Sequence, residues 1–466
     1  MQSQSRRQFL KAGACSIFAS GLSCSLFNRD ETPPNIVLIF LDDSGYSDFK
    51  PFGDPDYSTP HVGQLAKEGC TFEQFYVPQA VCSASRASLM TGCYPGRTRV
   101  FGAHPPRARG LDPKFATLGE QLQKNGYRTA VFGKWHLGDQ DDTRPPARGF
   151  DESCGLMYSN DMWKHHPGNP EYWGQFPLQY WENGEIRIEE MSKEDQTHLT
   201  TWYTEHAVDF INRNSQHPFF LYVPHSMPHV PLFCSEKFKN KSGAGLYGDV
   251  MMEIDWSVGQ IQNAIKANGL DDNTLVIFTS DNGPWISYGN HAGVTPFREA
   301  KATSFDGGTR SACIIKYPGY IKPGRSSGQA FCSIDILPTL CRLTGAPLPE
   351  YEIDGKNVWD IITGQPDAVN PHKYYAFSTH DKLESVISGD GRWKLHLPHD
   401  YRTLVESGKN GQPGRYRREH IGLSLFDMQN DPYETSNVIG EFPKIAQQLQ
   451  ELAEKHKNQF YTEHMD

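Results

Sequence analysis

Beyond residue 31 the sequence has no apolar run approaching the roughly 18 uninterrupted residues that a membrane-crossing helix needs, so no later segment is expected to span a bilayer. Blocks of like charge are also missing. The 45 Lys and Arg and 55 Asp and Glu are interspersed, and the formal charge of −10 speaks against a dedicated nucleic-acid surface. Any anion handled by such a chain has to be captured locally. There is no internal repeat, and cysteine is scarce, ten in 466 residues. What is present is a 37% hydrophobic fraction, enough for a substantial core in a large globular protein.

The first residues carry Ser5-Arg6-Arg7-Gln8-Phe9-Leu10-Lys11, then a weakly apolar stretch from Ala12 to Phe27. This order predicts a twin-arginine export signal over residues 1–31. It implies passage through the Tat export machinery of a bacterium to a periplasmic or extracellular location. Cys24, in Gly21-Leu22-Ser23-Cys24, is a weak lipid-attachment site, because the large aliphatic residue stands one place too close to it. Export permits disulfides, but their pairing is not legible in the sequence.

Five short apolar runs read as buried strands: Ile36 to Leu41, Thr129 to Phe132, Phe219 to Val223, Thr274 to Phe278 and Ala312 to Tyr317. Helix-like stretches lie between them at Leu118 to Lys124, Thr201 to Asn212 and Val250 to Ala267. The alternation predicts an α/β fold with a central, mostly parallel sheet flanked by helices over residues 32–365. From about Pro366 the pattern changes to shorter pieces and a helical tail from Pro443 to His456. Residues 366–466 are therefore read as a smaller C-terminal α+β subdomain with a small antiparallel sheet and a terminal helix. Polar residues follow four of the strands: Asp42 and Asp43, Lys134 and His136, His225 and His229, Asp281 and Asn282. Ligands bind beyond the carboxyl ends of strands in open α/β sheets, so these groups are grouped before any further consideration.

Cys82 stands just before a helix start in Cys82-Ser83-Ala84-Ser85-Arg86, followed by Thr91-Gly92. Alone, it reads as a buried structural cysteine. The segment, however, resembles the signature of type I, formylglycine-dependent sulfatases, and most of the chain resembles that arylsulfatase A-like family of the alkaline phosphatase superfamily. Further matches follow in order: Gly133-Lys134-Trp135-His136-Leu137-Gly138, Met227-Pro228-His229-Val230-Pro231, Ser280-Asp281-Asn282-Gly283, Lys301 and Asp306-Gly307-Gly308-Thr309-Arg310. An ordered set of this kind is far more specific than one motif.

The resemblance implies an alkaline phosphatase-like sulfatase fold and hydrolysis of sulfate monoesters, of a sulfated carbohydrate or an aryl sulfate. It also implies that Cys82 is oxidised to formylglycine by a maturating enzyme, Ala84 being the variant associated with radical maturases. One hydroxyl of the hydrated aldehyde attacks sulfur and expels the alcohol; deprotonation of the other then expels sulfate. Asp42, Asp43, Asp281 and Asn282 offer only hard oxygen ligands, which favours Ca²⁺ or Mg²⁺ over zinc. The resemblance implies calcium ahead of magnesium, held beside Cys82. By the same resemblance Arg86 reaches the modified side chain or the metal-bound carboxylates and Lys134 supports the diol. His136 deprotonates the second hydroxyl, while His229 and Lys301 contact sulfate and aid departure of the alcohol.

His225 and His229 form His-x-x-x-His, but Ser226 replaces the Glu of a zinc helix and Pro224, Pro228 and Pro231 forbid the helix, leaving His225 to pack or to line the pocket. Tyr158 to His166 looks like a loop near the substrate mouth of bacterial relatives. Asp161, His165, His166 and His291 are thus candidates for the organic part of the substrate, against an equal reading as solvated polar loop. Asp306 stands where the family usually has Glu, which suggests altered packing near Lys301.

Two other readings remain open at this point: a phosphonate monoester or phosphodiester hydrolase of the same superfamily, and an inactive carbohydrate-binding relative. The sulfated compound, its sulfate position, endo or exo action and oligomeric state are not legible. Mass spectrometry of the tryptic Cys82 peptide from the native host is expected to show an aldehyde in place of the thiol. An unmodified thiol there favours the binding protein.

Overall fold

The structure, a computed structural model, describes residues 33–461; the expected export signal and Cys24 lie outside the described residues. In chain order the main sheet contains β1 (Asn35–Leu41), β2 (Cys70–Tyr76), β3 (Arg128–Phe132), β4 (Glu152–Gly155), β5 (Tyr180–Glu182), β6 (Glu185–Ile188), β7 (Phe219–Pro224), β8 (Thr274–Ser280), β9 (Arg310–Lys316), β10 (Arg325–Ser327) and β11 (Phe331–Cys332). Across the sheet they run β10-β2-β9-β8-β1-β7-β3-β4-β5-β6, with β11 beside β2. The central run β8-β1-β7-β3-β4 is parallel, whereas β9 is antiparallel to both its neighbours.

β1 is buried at all seven positions and apolar at every one after Asn35, as befits a strand paired on both edges and covered on both faces. Its alternate residues serve different layers. Val37, Ile39 and Leu41 join a core with Tyr203, Phe210 and Ile211 of the helix Leu199–Arg213 and Ile254, Val258 and Ile261 of the helix Gly245–Ala267. Phe40 meets the other layer, where Arg86 of the helix Cys82–Thr91 lies 5.4 Å from its ring centre.

The strands expected from the apolar runs are all present, as are the three helices. β2, β4 and the β5–β6 edge hairpin were not foreseen. Their sequences, such as Glu-Ser-Cys-Gly in β4, carry too few apolar residues to show a run.

The C-terminal part adds β12 (Tyr374–Thr379), β13 (Lys382–Ser388), β14 (Trp393–His396), β15 (His399–Glu406), β16 (Arg415–Ile421) and β17 (Ser424–Asp427). β12, β13, β14 and β17 form an antiparallel sheet, and β15 pairs with β16 as a separate hairpin. The amphipathic helix Pro443–Phe460 lays Ala446, Leu449, Ala453 and Phe460 on the four-stranded sheet. This core continues into the first part of the chain through Tyr76, Phe305 and Ile334, so residues from Pro33 onward form one compact unit.

Between the two sheets lies a buried charge cluster. Lys394 Nζ is 2.7 Å from Asp306 Oδ1 and 3.1 Å from Glu434 Oε1, all three side chains being fully buried. Arg310 also reaches Asp306 at 3.3 Å, and Glu434 accepts from the Asp306 backbone N–H at 2.8 Å. Asp306 therefore ties the segment after Lys301 to β14. Removing one partner strands the others in a low-dielectric interior. Asp306→Ala should lower unfolding stability by about 3–5 kcal/mol, whereas Asp54→Ala at the exposed Lys50–Asp54 pair should change it by less than about 0.5 kcal/mol. Urea denaturation of both variants checks the contrast.

Candidate active site

β1 and β8 run side by side with Leu41 opposite Ser280, so the residues that follow them emerge together. Asp43 N–H donates to Asp281 Oδ1 at 3.1 Å, and Asn282 Nδ2 donates to Asp43 Oδ1 at 2.7 Å. Cys82, the first residue of the helix Cys82–Thr91, brings its Sγ to 3.3 Å from Asp42 Oδ1. Its thiol is 1% exposed, and burial, then the charge of Asp42, pushes its pKa up.

One turn along that helix, Arg86 donates through Nε and Nη2 to Asp281 Oδ2 at 3.2 and 2.9 Å and through Nη1 to the carbonyl of Lys134 at 2.8 Å. Lys134 Nζ is hydrogen-bonded to Asp42 and donates to Ser159 Oγ at 3.1 Å. Lys301 Nζ donates to Asp43 at 2.7 Å, stands 3.6 Å from Cys82 Sγ, and sits 4.5 Å above the Trp285 ring. Three carboxylates thus face three cations, all buried. Burial alone would raise Asp42, but Lys134 and the other cations hold it well below the usual carboxylate range. Burial and then Asp42 push Asp281 up to about 7.

The two histidines are held in definite tautomers, because a carbonyl oxygen only accepts. His136 Nε2 lies 3.0 Å from the His104 carbonyl and donates to it, which leaves Nδ1 as a buried lone pair without a hydrogen-bond partner. Burial, then Lys134 and Arg86, lower its pKa well below the usual value, so the ring is a neutral proton acceptor. His229 Nδ1 donates to the Val230 carbonyl at 2.6 Å, and its Nε2 faces Asp43 Oδ2 at 3.5 Å. Burial and Lys301 lower His229 as well.

Local backbone strain serves this arrangement. Asp43, His136 and Ala302 have φ of 63°, 58° and 63°, a region costing side-chain-bearing residues about 1 kcal/mol or more each. Gly133 makes the approach of Lys134 feasible, since a Cβ there would stand 1.9 Å from the Pro224 carbonyl oxygen, the acceptor of the Lys134 N–H at 2.7 Å.

The donor set suits a hard divalent cation. Three carboxylates and an amide converge, Asn282 Oδ1 is buried with no hydrogen-bond partner, and donor atoms of Asp42, Asp43, Cys82 and His229 lie within 4.8 Å of one another. The histidine was not among the sequence's ligand candidates.

Cys82, Arg86, Lys134, His136, His229 and Lys301 are thus gathered around Asp42, Asp43, Asp281 and Asn282. Asp161 is buried nearby, its charge acting on His229 and Tyr288, and His166 Nε2 lies 3.6 Å from its Oδ2. His165 is exposed against Trp163, and His291 sits beside Gly411 of the β15–β16 loop; no contact ties either to the charged cluster. His225 is fully buried beside Ser257 Oγ at 3.3 Å and Tyr203, so of its two expected roles it packs. Sequence reasoning missed Ser159, which contacts both Lys134 and His229. It follows β4, so the rule that found the other residues would have found it had that strand been visible.

Comparison with known proteins agrees with this layout. The sulfatase family model matches residues 34–346. Human arylsulfatase A is 34% identical over 451 residues, covering 90% of this chain and 87% of that protein. The N-acetylgalactosamine-6-O-sulfatase of Bacteroides thetaiotaomicron is 30% identical over 497 residues, covering 92% and 94%. A sulfatase structure from Pseudoalteromonas sp. superposes with a TM-score of 0.82 at 24% identity, covering 93% of this chain and 92% of that one.

Arg86→Lys keeps the charge but not the forked geometry, and should lower kcat/KM on an aryl sulfate by about 10²-fold and, with buried acceptors left unpaired, lower the urea midpoint as well. Steady-state kinetics and denaturation of the same preparation check both halves.

Proposed function

This chain belongs to the sulfatase family within the alkaline phosphatase superfamily and hydrolyses sulfuric esters, and we propose that it does so at Cys82, matured to formylglycine, on a sulfated saccharide. The observation that carries this reading is the placement of Cys82 Sγ 3.3 Å from Asp42 and 3.6 Å from Lys301 Nζ. A thiol whose pKa is driven up by burial and a carboxylate is a poor nucleophile in its own right, whereas an oxygen nucleophile at that position has the Lys301 ammonium beside it.

Asp42, Asp43, Asp281 and Asn282 would hold a divalent cation, calcium ahead of magnesium. When bound, it neutralises charge on the sulfuryl oxygens and lowers the pKa of a neighbouring hydroxyl. The remaining work falls to the chain. Lys134 and Arg86 hold the carboxylates in place, and Lys134 stands close enough to Asp42 to orient a hydroxyl bound there. His136 Nδ1, bare and buried, takes a proton from the matured side chain. Lys301 and His229 face the incoming sulfate, whose charge favours the protonated imidazole that releases the alcohol.

A saccharide substrate is supported by relatives named N-acetylgalactosamine-6-sulfatases. Arg6-Arg7 and the following apolar stretch support export through the Tat machinery to the periplasm or beyond, after a sulfatase-maturating enzyme has acted.

Matched p-nitrophenyl sulfate and phosphate test the reaction class: the sulfate should be the faster substrate, and a reversed preference would falsify the sulfatase assignment of the site. Asn282→Ala should raise the cation concentration needed for half-maximal activity by at least the 10–100-fold seen for outer-shell partners. Titrating Ca²⁺ back into chelator-treated enzyme measures it.

A further inference from the structure

Between Trp163 and β5 the chain makes an excursion whose rings touch in succession. His166 stacks on Trp173 with centroids 5.6 Å and planes 23° apart, Tyr172 meets Trp173 edge-on at 4.9 Å, and Phe176 lies 5.9 Å from Tyr172. Tyr172 is 44% exposed and Trp173 is only partly buried. Exposed aromatic surface gathered in one place marks a ligand groove more readily than a packing accident.

Two contacts join these rings to the charged site. On one flank His166 Nε2 is 3.6 Å from Asp161 Oδ2. Asp161 is 5% exposed, its Oδ1 is buried without a hydrogen-bond partner, and its charge is felt by His229. On the other flank Phe176 shares a cavity of about 130 Å³ with Tyr158, Asp139 and Arg107, and the Tyr158 ring is 5.8 Å from that of His136. The excursion therefore borders the reaction centre on both sides.

The chemistry of the two parts is complementary. Flat rings with an exposed face suit the C–H face of a sugar, and a buried carboxylate oxygen lacking a donor is costly until a hydroxyl supplies one. We propose that Tyr172 and Trp173 form an outer subsite that stacks a second sugar ring of an oligo- or polysaccharide, while Asp161 Oδ1 accepts a hydroxyl of the sulfated residue next to it. This rests on the sulfated-saccharide reading above and names its substrate class: a chain of sugars rather than a free monosaccharide or a simple aryl ester.

The test compares wild type, Trp173→Ala, Tyr172→Ala and Asp161→Asn on p-nitrophenyl sulfate and on matched mono- and tetrasaccharides from chondroitin 6-sulfate, carrageenan and fucoidan. The pair that wild type cleaves is the one compared. Each aromatic variant should lose about 3- to 10-fold in kcat/KM on the tetrasaccharide through KM, the scale of one ring contact, and nothing on the monosaccharide or the aryl ester. Calorimetry with the desulfated tetrasaccharide should show the same loss without turnover. Asp161→Asn should lower kcat/KM on both saccharides by a larger factor than on the aryl ester, where only its effect on His229 is felt. Aromatic variants that match wild type on the tetrasaccharide, or lose equally on all substrates, overturn the subsite and leave the saccharide reading standing. Wild-type turnover of the aryl ester with none of any saccharide overturns the saccharide reading, and the subsite with it.

Discussion

The arrangement rests on one constraint: Asp42, Asp43 and Asp281 are buried carboxylates, and each has a buried cation against it. Charges removed from water on this scale survive only where every partner is in place. The requirement explains why two parallel neighbours, β1 and β8, both end on acids, and why the helix starting at Cys82 presents Arg86 to them one turn later. It also explains why the backbone accepts a left-handed conformation at Asp43 and His136. The strain is small beside the penalty of leaving one of these charges unmatched.

The C-terminal sheet takes part in the same constraint at one remove. Lys301 is delivered by a segment without regular structure, which alone would not hold an ammonium group against Asp43. Its carbonyl accepts from Arg402 of β15 at 2.6 Å, the next residue's N–H bonds to the Ala80 carbonyl at 2.8 Å, and Asp306 is fixed to Lys394 of β14. Glu434 comes in beside Asp306 to share Lys394 and to accept from the Asp306 backbone N–H. The turn around Asn430 and Glu434 thus helps hold Lys301 against Asp43.

What was legible in the sequence follows from the same physics. Buried parallel strands are uniform apolar runs, so β1, β3, β7 and β8 were readable, and with them the acids, lysine and histidines at their ends. β4 is short and half polar, so Ser159, which bridges Lys134 and His229, was not. The tautomer of His136 depends on the His104 carbonyl, a backbone group 32 positions away that no residue type announces. The same holds for the rings around Trp173, whose significance lies in what they touch.

All eight cysteines among the described residues are buried and unpaired, with burial lifting Cys70 to about 11 and Cys234 to about 12. With Cys82 set aside for maturation, the other seven thiols are packed away from oxidants in the folded chain, and no disulfide joins the described residues. Once the chain opens, those same sulfurs return to ordinary reactivity, and in oxidising surroundings they join at random. Unfolding there is a one-way passage, so survival is governed by how slowly the sheet comes apart rather than by how favourable refolding is.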